Sequence, residues 1–76
     1  MDPQAAWDDL LEALGERDWD RVEDLAEGLL RWLRAGGFPP RAVTGNDLGS
    51  DWDREIALAS CRFALAQARE GVTHVP

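Results

Sequence analysis

Residues 18–37 read DWDRVEDLAEGLLRWLRAGG, and this stretch decides the fold. At 100° per residue, Trp19, Val22, Leu25, Ala26, Leu29, Leu30, Trp32 and Leu33 share an arc of roughly 160°. The spacing therefore predicts a helix over residues 19–35 with one broad apolar face. Asp18 is a natural N-cap, and Asp20 falls in the first turn, where the helix dipole favours a carboxylate. Arg31 and Arg34 suit the last turn for the same electrostatic reason, and Gly36-Gly37 supplies the stop.

Towards the N-terminus, Trp7, Leu10, Leu11 and Leu14 follow the i, i+3, i+4, i+7 rule and predict a helix over residues 3–14. Asp2 caps it, and Pro3 occupies the first helical position, where its missing N–H costs nothing. Asp8, Asp9 and Glu12 fall on the opposite side, and Gly15 is expected to end the helix in a left-handed conformation. So little chain separates the two helices that they must fold back into a hairpin.

Towards the C-terminus, residues 36–50 (GGFPPRAVTGNDLGS) have no apolar period. Pro39-Pro40 favours an extended path, and Gly45-Asn46-Asp47 and Gly49 are turn residues. This connection is long for a compact domain, and Phe38, Val43 and Leu48 are the residues expected to pin it to the helices. A third helix follows over residues 51–70, with Ser50 as N-cap and Asp53 placed like the acidic partner of a capping box. Trp52, Ile56, Ala59, Phe63 and Ala66 form one apolar strip, and Leu58, Cys61, Leu65 and Ala68 form another. A helix apolar on two sides is either sandwiched between neighbours or keeps one side for a partner. Gly71 is the expected stop, and residues 72–76 read as a mobile tail.

No strand-like alternation survives outside these segments. The expectation is an all-α fold: a small three-helix bundle in one domain over residues 1–71. An N-terminal helical hairpin is followed by a long loop and a third helix packed across it. The segment over residues 10–33, with Arg17-Asp18-Trp19-Asp20 at its turn, resembles one helix-turn-helix unit of a tetratricopeptide array. It departs from that family at Val22, where the family has a small residue. The terminal proline is absent at the expected spacing, and there is no second repeat.

Composition narrows the function. The chain has 76 residues, 45% of them hydrophobic and 30% charged, with a net charge of −7. That is one small globular domain. No run of 18 apolar residues offers a membrane span, and the opening Met1-Asp2-Pro3 lacks the basic start of a leader, so a cytoplasmic protein is expected. All eight basic residues are arginine and 11 residues are alanine, as in proteins from GC-rich bacterial genomes. Arginine forks are expected to pair with carboxylates at the surface. Residues 1–27 hold ten acids against two arginines, whereas the remainder is nearly neutral. Such acidity disfavours direct nucleic-acid binding.

Few residues offer chemistry. One cysteine cannot form an internal disulfide, and Cys61 with His74 cannot make a zinc site. Cys61 sits mid-helix on an apolar strip, as a buried structural thiol does, and a Cys61–His74 dyad needs the tail to fold back. Residues 46–55 are acidic but lack the calcium-loop pattern, and Ser50, Asp51 and Asp53 read as helix-start residues. No cofactor, no metal and no catalysis are expected. An enzyme reading would rest on Cys61 or on paired carboxylates.

Two surfaces remain. Asp20, Asp24 and Glu27, flanked by Glu23, share an outward face of the second helix; such a face either keeps the protein soluble or steers a basic partner. Trp32, Leu58 and Leu65 either enlarge a small core or form a contact surface, in a homodimer for example. The function expected is a non-catalytic protein–protein interaction module, whose partner is a protein with a basic surface or a second copy. The alternative is a small acidic inhibitor or antitoxin-like regulator that imitates nucleic-acid charge.

Overall fold

Three helices, α1 over Pro3–Glu16, α2 over Trp19–Arg34 and α3 over Ser50–Thr73, make up the computed structural model, which describes residues 1–73 with side chains as far as Glu70. There is no strand among the described residues. The all-α three-helix bundle expected from periodicity is the fold.

Local chemistry explains the ends of α1 and α2. Asp2 Oδ1 accepts from the amides of Gln4 and Ala5 at 3.0 and 3.2 Å. At the other end α1 runs through Gly15, and it is Arg17 that takes the left-handed conformation, with φ 59°. The Arg17 N–H donates to Leu14 O and the Asp18 N–H to Ala13 O, which closes a Schellman turn. Asp18 serves both helices, because its Oδ1 accepts from the Arg21 amide that opens α2. Sharing one residue between a C-terminal closure and an N-cap places the stop at Arg17 rather than Gly15. α2 ends as expected: Gly36, at φ 91°, and Gly37 donate to Leu33 O and Trp32 O.

The core draws Trp7, Leu10 and Ala13 from α1, Val22, Ala26, Leu29, Leu30 and Leu33 from α2, and Ala57, Cys61, Ala64, Leu65 and Ala68 from α3. α2 is the middle element. Both other helices pack on it, and they scarcely meet each other. The third helix therefore packs on α2 far more than on α1. Small side chains at Ala57, Cys61, Ala64 and Ala68 let α3 approach the leucines of α2 closely. The strip holding Leu58, Cys61, Leu65 and Ala68 turns inward; on the other strip Trp52 is 64% and Phe63 66% exposed. Gly71 does not stop α3, which continues to Thr73. The rest of the expected tail, including His74, lies outside the described residues.

The long connection is held mainly by polar hooks, with less from the apolar residues expected to pin it. Phe38 is 69% exposed and Leu48 43%; of the three, Val43 is half-buried, beside Trp7 and Leu11, while Pro40 is fully buried and Ala42 partly so. A non-periodic segment must find partners for its own backbone groups. Trp32 Nε1 donates to Phe38 O at 2.9 Å. Gln4 Oε1 accepts from the Arg41 amide at 2.8 Å, and Asp53 Oδ1 from the Ala42 amide at 3.1 Å. Asp53 is thus a buried loop anchor, not a capping-box partner. Arg54 donates to Leu33 O and Gly37 O, each at 2.9 Å. The fork expected on a carboxylate instead grips carbonyls at the C-terminal end of α2, where the helix dipole concentrates negative charge.

Candidate functional site

Because α1 and α3 share α2 as a neighbour without closing on each other, a groove remains between them. It has a volume of about 570 Å³. Trp7, Leu11 and Leu14 form the α1 wall; Ile56, Ala59, Phe63 and Ala64 form most of the α3 wall, with Ser60 and Gln67; Ala42 lies at one end. Helical geometry explains the walls. Leu10 and Leu11 lie 100° apart, so when Leu10 is fully buried against α2, Leu11 turns into the groove and stays 48% exposed. On α3 the same offset separates buried Ala64 from exposed Phe63. A smaller hollow of about 200 Å³ continues the groove over Gln4, Asp8, Arg41 and residues 43–45.

Charge gathers along the α1 rim. Asp8 and Glu12 are exposed beside Leu11. Behind them Arg21 draws Glu12, Asp9 and Glu16 together at 3.4, 4.0 and 4.0 Å. These contacts are exposed, each worth about 0–1 kcal/mol. On the facing helix Arg62 is exposed beside Phe63, so the flanks of the groove carry both signs. One turn before Ile56, the exposed ring of Trp52 shares a shallow surface with Asp51 and Glu55.

The acidic residues singled out on α2 lie elsewhere. Asp20 and Asp24 are exposed and Glu27 is half-buried, and none of them lines the groove. Glu27 meets Arg31 at 4.0 Å, the compensating i,i+4 pair, and Arg69 at 3.7 Å. Asp20 and Asp24 have no cation partner among the described residues. The apolar trio is not brought together as a surface. Leu65 is buried, Leu58 is half-buried against the core, and Trp32 is half-buried with Phe38 edge-on at 6.3 Å. Leu11, Trp52 and Phe63 are the exposed apolar residues beside or in line with the groove. The signal for the Trp52–Phe63 side was present in the row of small residues Ala57, Cys61, Ala64 and Ala68, which lies between that outer strip and Leu58 and Leu65 and faces α2.

Cys61 is fully buried, and its burial pushes the thiol from 9.0 up to about 11, so it is neutral at physiological pH and a poor nucleophile. Among the described residues, no group of three or more His, Cys, Asp or Glu side chains is placed to hold a metal ion. No helix among them is long and apolar enough to cross a membrane. The chain matches no protein-family model, no curated protein and no solved structure.

Proposed function

We propose that this chain is a non-catalytic protein-binding module that takes one amphipathic helix of another protein into the groove between α1 and α3. The observation that carries this reading is the exposure of Leu11 and Phe63 on facing walls of an open apolar groove. A fourth helix laid there covers both side chains, with about 25 cal/mol gained per Å² of apolar surface removed from water. A second copy suits the groove less well. Each copy carries a net charge of −7, so two copies repel each other on approach. A single unpaired thiol and an all-arginine basic set support a setting in the bacterial cytoplasm.

Selection of helical peptides from a displayed library tests the reading. The selected peptides are expected to carry apolar residues at i, i+3, i+4 and i+7. Their binding is expected to be lost in Leu11→Glu with Phe63→Glu and kept in Asp20→Arg with Asp24→Arg. Retention by the groove variant together with loss by the α2 variant overturns the proposal. That result supports a second reading, favoured by the unpaired Asp20 and Asp24. In it the α2 face docks a basic surface, as an acidic inhibitor that imitates nucleic-acid charge would.

A further inference from the structure

The groove has a direction. Resting on the groove reading, we infer that the bound helix runs antiparallel to α1 and α3 and carries two charges in a set order. A carboxylate in its N-terminal half meets Arg62, and a lysine or arginine two turns later meets Glu55.

The direction follows from how the connection is tied. Gln4 Oε1 holds the Arg41 amide and Asp53 Oδ1 the Ala42 amide, so neighbouring loop residues pin the first turns of both helices. α1 and α3 therefore start at the same end and run the same way, and the groove follows them from Ala42 to Leu14 and Gln67. A helix laid between two parallel neighbours is best placed antiparallel to both. Its dipole then opposes theirs, and the order becomes that of an up-down-up-down bundle.

The charge order follows from α3. Trp52, Ile56, Ala59, Phe63 and Ala66 recur at alternating intervals of four and three, the period of a helix–helix seam. Ser60 and Gln67 border this seam on the side of α1 and are uncharged. Glu55 and Arg62 border it on the other side, within about 20° of each other around the helix and about 10 Å apart along it. Both are exposed, and neither engages a partner among the described residues. Asp51, one turn before Glu55, adds to the negative end. The remaining charges set no order: Asp8 and Arg41 share the hollow at the loop end, Glu12 is held by Arg21, and Arg69 is drawn to Glu27. A helix with its two charges exchanged fills the same apolar space at a disadvantage. It either sets like charge against like at both positions or turns round and aligns its dipole with its neighbours'.

Two peptides about five turns long test this, stapled so that both are helical and sharing one leucine stripe. The first carries glutamate in its N-terminal half and lysine two turns later on the same flank; in the second the two are exchanged. Binding to the full chain is followed by fluorescence anisotropy at two salt concentrations. The first peptide is expected to bind about fivefold more tightly, with the ratio shrinking at high salt. Glu55→Arg with Arg62→Glu is expected to invert the preference, and circular dichroism checks that this variant folds. A spin label at the C-terminus of the first peptide is expected to broaden the amide signal of Ala42 more than that of Gln67. Equal binding of the two peptides, tighter binding of the second, a preference unchanged in the charge-exchanged variant, or stronger broadening at Gln67 overturns the inference and leaves the groove reading standing. Failure of both peptides to bind overturns the groove reading, and the inference with it.

Discussion

The indole of Trp32 occupies the space that a Cβ on Gly37 would need. The same ring donates to Phe38 O and meets Phe38 edge-on, so one side chain fixes three consecutive features of the turn after α2. Gly36, one residue earlier, is glycine for a different reason. Nothing crowds it, but its φ of 91° suits a residue without a side chain. Gly37→Ala is therefore expected to cost about 2–3 kcal/mol, because the indole must move and its hydrogen bond with it. Gly36→Ala is expected to cost only about 1 kcal/mol of backbone strain. Urea denaturation of both variants measures the two values. Equal costs would refute the packing argument.

The end of α1 reverses the usual expectation for glycine. Gly15 lies within the helix with open space around it, and Arg17 holds the left-handed position. Gly15→Ala is expected to stabilise the protein by about 0.5–1 kcal/mol, and Arg17→Gly by about 1 kcal/mol. Thermal melts of the two variants and their combination report this. A loss of stability in Gly15→Ala would show that the helix stops where the glycine stands.

Much of this architecture was legible in the residues. The arc from Trp19 to Leu33 on α2 and the stripe from Trp7 to Leu14 on α1 placed two helices and their buried faces. Periodicity reports a face, but it does not say which neighbour covers it. That is why α3, with two apolar strips, leaves the inward side open in the sequence, and why Leu58 and Leu65 could serve either the core or a contact surface until Trp52 and Phe63 prove to be the exposed pair. The anchors of the long connection were hidden for another reason. Gln4, Asp53 and Arg54 act on backbone groups of residues 33–42, and such contacts leave no pattern in a sequence. The groove is a consequence of α1 and α3 meeting α2 but not each other, a three-body relation beyond any single helix.

The buried thiol makes stability depend on alkaline pH in a traceable way. In the folded chain Cys61 keeps its proton up to about 11, whereas an exposed thiol releases it near 9.0. Between these values the folded state holds more protons than the unfolded one, so stability is whole below about 9 and falls as pH rises towards 11. The chain contains no lysine and no tyrosine, so Cys61 is the side chain whose ordinary range falls in this window. Urea midpoints measured across that range are expected to decline, and Cys61→Ala is expected to flatten the decline. A decline that persists unchanged in the variant would assign it to another group. The same burial predicts that iodoacetamide labels Cys61 only as fast as the chain opens.

If Leu11 and Phe63 serve a partner, the fold does not need them. At 48% and 66% exposure they contribute little to the core, while Leu10 and Leu29 are fully buried. Leu11→Ser and Phe63→Ser are each expected to change stability by about 1 kcal/mol or less, against about 3–4 kcal/mol for Leu29→Ala. Denaturant titrations at two protein concentrations make the comparison. A cost for Phe63→Ser as large as that for Leu29→Ala, together with a midpoint that rises with concentration, would mean that copies of the chain cover the groove for one another. A large cost without concentration dependence would mean that the groove closes within the monomer. Only a small cost leaves these side chains exposed for a partner, because a solvent-facing leucine and phenylalanine on opposite walls of one groove then have no structural task in the isolated chain.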